Sequence, residues 1–161
     1  MLVVADASPL VALINIEKVD LLPTLFTYVV IPPEVAAELR AAGRPRAVGE
    51  FMSQRPNWLT ERAPTGTEPI PGLHPGEAAA LSLARELGAD LLLIDEARGR
   101  KAARERRLPF TGTIGVLELA ADRGLVDLPQ AFARLKQTDF WISDELLDQR
   151  LAKFRSKRRP S

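Results

Sequence analysis

Apolar positions along the chain fall into two kinds of run. Short unbroken runs, LVVA at 2–5, YVVI at 28–31 and LLLI at 91–94, sit between polar residues. Runs of that length and composition read as strands, LVVA and LLLI at the centre of a sheet and buried on both faces. Two weaker candidates, within PNWLTER and LPFTG, complete a set of five strands. Between them the apolar positions recur at three- and four-residue spacing. Leu10, Leu13 and Ile14 do so after Ser8-Pro9, where Ser8 is a candidate N-cap and Pro9 the first helical residue. Further helices are expected over 19–26, over PEVAAELRAAG and over 45–55. GEAAALSLARELG, ARGRKAARERR, 114–123, LPQAFARLKQ and SDELLDQRLAKFRSK follow. Gly43 and Gly88 are placed to end their helices. The Pro-, Gly- and Thr-rich stretch 63–75 is a loop. Strands alternating with helices predict an α/β sandwich with a mainly parallel sheet.

The 161 residues suit one domain, here drawn over 1–152. Hydrophobic residues at 46% and charged residues at 27% exclude a collagenous, mucin-like or wholly disordered chain. No apolar run reaches the ~18 residues of a membrane helix, and Asp6 interrupts the first one, which argues against a signal peptide. A cytoplasmic protein is the expectation. There is no cysteine, and His74 is the one histidine, so thiolate and multi-histidine metal sites are excluded. The net charge of +1 is unevenly spread. Residues 153–161 hold five basic groups and no acid, leaving −4 on the preceding chain. Such a tail either attracts a polyanion or is a flexible, solvated terminus.

Ligands of open parallel sheets bind beyond the carboxyl ends of the strands. Two strands here run directly into acids at that point, LVVA into Asp6 and LLLI into Asp95. Either one alone reads as the cap of a following turn. The pair, at matching strand ends, points to a site. Glu38 borders the apolar stripe of its helix, and Glu77 lies in the first turn of another, where the helix dipole alone explains it. Four carboxylates without thiol or multiple imidazoles form the ligand set of Mg²⁺ or Mn²⁺. Such a cation suits phosphoryl chemistry. No phosphate-binding Gly loop and no GxSxG elbow competes with this reading. The basic helix after Asp95 offers Arg98, Arg100, Lys101 and Arg104 to a phosphate backbone, or simply to solvent. Thr111 and Thr113 flank a glycine before the next helix, with Thr113 a plain N-cap or a hydroxyl for the site.

VVADASPLVAL, VIPPEVAAEL, HPGEAAALSLARELGADLLLIDEARGRKAA and TGTIGVL, in that order and spacing, resemble PIN-domain ribonucleases. The likeness is to the prokaryotic branch grouped with VapC-type toxins, and it runs from Met1 to about Ile142. The resemblance implies a Rossmann-like three-layer α/β/α sandwich. It also implies Mg²⁺- or Mn²⁺-dependent endoribonuclease activity, a homodimer and a protein antitoxin. By position it assigns Asp6, Glu38, Glu77 and Asp95 as catalytic metal ligands. Ser8 and Thr113 match hydroxyls near the metal, and Glu96 stands where it can compensate for a hydroxyl missing at Ile94. The crowding of Leu21, Leu22, Leu25 and Phe26 in one short segment suggests the dimer face. The competing functions are a non-catalytic RNA- or protein-binding module and a metal phosphohydrolase acting on DNA or a small phosphate ester.

Overall fold

The computed structural model describes residues 1–158. Five strands, β1 (Leu2–Ala5), β2 (Tyr28–Ile31), β3 (Leu59–Glu61), β4 (Leu91–Leu93) and β5 (Phe110–Thr111), form one sheet. Their order is β3-β2-β1-β4-β5 and every pairing is parallel. The chain therefore builds outward from β1 to β3, crosses back, and continues outward from β4 on the other side. That reversal between β1 and β4 is where a parallel sheet opens a crevice at its carboxyl edge.

The unbroken apolar runs are explained by burial on both faces. Val3, Ala5, Val29, Ile31 and Leu93 point into one core layer. Val4, Val30, Leu92 and Ile94 alternate with them into the other. The first layer is covered by α1 (Ala7–Asn15), α2 (Leu21–Phe26), α3 (Pro33–Arg40) and α4 (Arg46–Ser53), with α7 (Thr113–Asp122), α8 (Leu128–Lys136) and α9 (Asp144–Arg158). The second is covered by α5 (Pro75–Leu87) and α6 (Ala97–Glu105). Both α5 and α6 turn alanines to the sheet, among them Ala80, Ala84, Ala102 and Ala103, so the two helices pack close to it. The result is a three-layer α/β/α sandwich.

Several local expectations shift. Helix α1 starts at Ala7, so Asp6 takes the N-cap position in an extended conformation and Ser8 does not cap. Helix α2 starts at Leu21, two residues after the expected Val19. Gly88 ends α5 in the left-handed region, φ 60°, as its position suggested. Helix α3 stops at Arg40, short of Gly43. Leu21, Leu22, Leu25 and Phe26 are all buried in the chain's own core. Their crowding is satisfied within the protomer, which removes the sequence argument for a dimer face. Helix α9 carries residues 153–158 of the basic segment, and residues 159–161 lie outside the described residues. No helix among the described residues is long and apolar enough to cross a membrane.

Candidate metal centre

The carboxyl edge of the sheet gathers acids from four elements. Asp6 leaves β1 with its peptide N–H donating to the Leu93 carbonyl at 2.9 Å, which ties it to β4 across the switch point. Its side chain makes no cap bond to α1. It is 3% exposed, and its Oδ1 has no hydrogen-bond partner. Burial, with the Ala7 N–H opposing and the charges of Glu77, Glu38 and Glu96 adding, pushes its carboxyl up to about 7.

Glu77 is the third residue of α5 and is also buried. Its Oε1 accepts from the His74 peptide N–H at 3.3 Å, the back-reaching half of a capping box. Its Oε2 has no partner. Burial pushes its carboxyl up, with Glu96 and Glu38 adding and His74 opposing. Glu96 sits at the N-cap of α6, solvent-exposed, with no side-chain cap bond. Glu38 projects from α3, with Arg44 4.0 Å from its Oε2.

Two glycines make this convergence sterically possible. A Cβ on Gly76 would collide with Glu38 Oε1, so the carboxylate fills the space a side chain would take between α3 and α5. A Cβ on Gly99 would overlap Ile94 and come within 3.1 Å of Glu77 Oε2. A larger residue at 76 displaces Glu38, and one at 99 displaces Ile94 and crowds Glu77.

Asp95 departs from the arrangement expected of it. Its Oδ1 accepts from the Thr113 N–H at 2.7 Å and its Oδ2 from the Thr113 hydroxyl at 2.8 Å. It therefore caps α7 from beyond the end of β4, each oxygen accepting one bond from Thr113. Gly112 is the N-cap of α7 and Thr113, fully buried, is its first residue. Burial raises the Asp95 carboxyl, the Thr113 bonds and the charge of Arg100 oppose it, and the charge of Glu96 adds to it. The acid that joins Asp6 and Glu77 is its neighbour Glu96. Successive residues past a strand point opposite ways, so Asp95 turns to Thr113 while Glu96 turns toward Glu77.

A cleft of about 1090 Å³ runs along this edge. Ser8, Asp95, Glu96 and Thr111 line it, together with Arg44, Arg98, Arg100 and Arg150. Phe110, Phe140 and Trp141 supply aromatic surface, and Trp141 is 90% exposed. Of the four expected phosphate-binding residues, Arg98 and Arg100 line the cleft and Lys101 and Arg104 do not. Arg104 lies over the Phe110 ring at 5.5 Å, and Lys101 faces solvent.

The donor set fits a hard divalent cation. Among the described residues three buried carboxylate oxygens lack partners, Asp6 Oδ1, Glu77 Oε2 and Glu34 Oε2, and two of them lie in this cluster. Buried polar atoms are ordinarily paired, so unpaired carboxylates of like charge at one edge mark a place for a cation or a proton. His74, Glu77 and Glu96 each bring a ligand atom within 4.8 Å of the others. His74 was not a candidate from sequence. The signal was the His-x-x-Glu spacing across a helix start, which carries Glu77 and His74 into the same turn.

A family model described as PIN domain matches residues 2–156. A solved structure, a PilT N-terminus domain protein from the hyperthermophilic archaeon Sulfolobus solfataricus, shares the fold with a TM-score of 0.55. It is 17% identical and the match covers 72% of this chain and 90% of that one. No curated protein matches the chain.

Two outcomes follow from this geometry. Without metal, folded Asp6 keeps its proton to about pH 7 while the unfolded chain releases it near 3.8. Between those values the folded state holds the extra proton, so stability falls as pH rises and levels off above about 7. Glu77 and Asp95 shift in the same direction and add to the slope. Thermal melts in chelator should show that decline, and Asp6→Asn should flatten it. Asp95→Ala should lower stability by about 0.5–2 kcal/mol through the lost cap. Glu96→Ala should leave metal-free stability equal or higher, because it relieves repulsion. Urea unfolding of both variants measures the contrast.

Proposed function

The chain belongs to the PIN-domain family, and from that premise we propose that it is a divalent-metal-dependent endoribonuclease. The observation that carries the reading is the pair of buried, unpartnered carboxylate oxygens on Asp6 and Glu77, both in the field of Glu96, which itself lines a cleft together with arginines and aromatic rings. In this reading Asp6, Glu77 and Glu96 hold the cation and Glu38 borders it. A bound Mg²⁺ or Mn²⁺ supplies charge neutralisation at the phosphate and lowers the pKa of water.

The chain's own groups do the rest. Arg98 and Arg100 pair with phosphates on either side of the scissile one, which fixes the strand without reading its sequence. Trp141 and Phe110 offer flat faces on which unpaired bases stack, a contact worth ~1–3 kcal/mol per base. That combination favours a single-stranded substrate. Ser8 lines the cleft and brings a hydroxyl to it. Asp95 is a positioning residue: by holding Thr113 it fixes the start of α7 and the glycine turn lining the cleft. Silencing by a small protein antitoxin and pairing into a homodimer are part of the same family reading, tested by co-purification and light scattering.

The test is direct. Purified protein is incubated with mixed-sequence single-stranded RNA, matched DNA and a small phosphodiester, with Mg²⁺, Mn²⁺ or chelator. The expected result is internal cleavage of RNA that needs the cation and falls at least ~10- to 100-fold in Asp6→Asn and Glu77→Gln, each of which removes a ligand charge. RNA binding without cleavage would instead make the chain a binding module. Preferential cleavage of DNA or the ester would make it a different phosphohydrolase.

A further inference from the structure

We propose that His74 is a nitrogen ligand of the acidic cluster, so that the site takes a first-row transition dication of the Mn²⁺ class in preference to Mg²⁺. The proposal rests on the reading of Asp6, Glu77 and Glu96 as cation ligands, and adds to it the imidazole and the choice of metal.

Ligand atoms of His74, Glu77 and Glu96 lie within 4.8 Å of one another, close to the span of atoms around a single ion. The cluster is not a chance gathering of surface acids. Glu77 is 4% exposed and its Oε2, unpartnered, is one of the buried oxygens that need a cation. Asp6, 3% exposed and likewise holding an unpartnered oxygen, carries the charges of Glu77 and Glu96.

The position of His74 is built rather than incidental. Its peptide N–H is held by Glu77 Oε1. Two residues earlier, the Gly72 carbonyl accepts from Arg98 at 3.5 Å, which fastens this loop to the helix that Glu96 begins. Gly72 has φ +84°, a conformation that side chains resist, and Leu73 packs on the second core layer. Pro75 fixes the backbone on the other side as the first helical residue. Loop, helix start and α6 thus hold the imidazole beside two carboxylates.

The chemistry of the donor set then chooses the metal. Mg²⁺ takes oxygen ligands and keeps its waters. An imidazole nitrogen raises affinity for first-row dications far more than for Mg²⁺, and Mn²⁺ among them still accepts a carboxylate majority. One nitrogen among carboxylates therefore favours Mn²⁺ over Mg²⁺.

The experiment uses full-length protein without a histidine tag, loaded with Mn²⁺ alone. Because His74 is the one histidine in the chain, an imidazole nitrogen coupled to Mn²⁺ in pulsed electron paramagnetic resonance has one source. The expected result is a nitrogen coupling in wild type that vanishes in His74→Asn. Asparagine keeps a good N-cap and offers oxygen in place of nitrogen. Mn²⁺ affinity should fall about tenfold or more in that variant, with Mg²⁺ affinity changed much less. His74→Gln, with a matching melting curve, serves as the second replacement should Asn unfold the helix start. Mn²⁺ bound with no nitrogen coupling, or with equal affinity in the variants, overturns the assignment of His74 and leaves the carboxylate site standing. Absence of Mn²⁺ binding by wild type removes the parent reading, and this inference with it.

Discussion

Placing Asp6 at the end of the central strand puts a carboxylate, 3% exposed, in the field of Glu77, Glu38 and Glu96. Removing an ion from water costs several kcal/mol, and neighbours of like sign add to that cost. The folded chain meets it in two ways. A proton held up to about pH 7 neutralises Asp6 in the metal-free protein. A divalent cation bound there would do the same for the whole cluster and leave every acid ionised. The fold therefore carries a built-in preference for a bound positive charge at this edge.

The remaining architecture serves to bring those acids together. β1 lies between β2 and β4, so its last residue is covered from both sides, and the chain reversal leaves a crevice beside it. Alanines along α5 and α6 bring both helices close to the sheet. Gly76 and Gly99 then leave room for Glu38 and Glu77 where a β-carbon would stand. The Asp95–Thr113 contacts work at right angles to this, locking α7 to the end of β4. Adjacent acids are thus turned to different neighbours, Asp95 to Thr113 and Glu96 to Glu77.

Much of this was legible in the sequence because burial on two faces leaves an unmistakable mark. LVVA and LLLI had to be central parallel strands, and the acids directly after them had to sit at the carboxyl edge. Asp6 was singled out by that logic, whereas Glu77 was assigned only by the family pattern. What periodicity could not resolve was the direction of side chains just past a strand: Asp95 bonds Thr113 at the start of α7, and Glu96 is the one whose ligand atom approaches Glu77. Nor could it weigh tertiary demand on apolar segments. Leu21, Leu22, Leu25 and Phe26 looked like surplus surface but fill the chain's own core. His74 escaped notice because metal-site arithmetic on histidines counts pairs, whereas here a single imidazole is brought to two carboxylates by a helix start and a helix cap.

The account turns on one claim, that the unpartnered oxygens of Asp6 and Glu77 face a cation. Crystals of the protein grown with Mn²⁺ and measured at the manganese absorption edge test it most directly. The account predicts an anomalous peak within bonding distance, ~2–2.6 Å, of Asp6 or Glu77 oxygens and beside Glu96. An edge of the sheet that stays empty at millimolar Mn²⁺, or a peak seated only between Asp95 and Thr113, would contradict it.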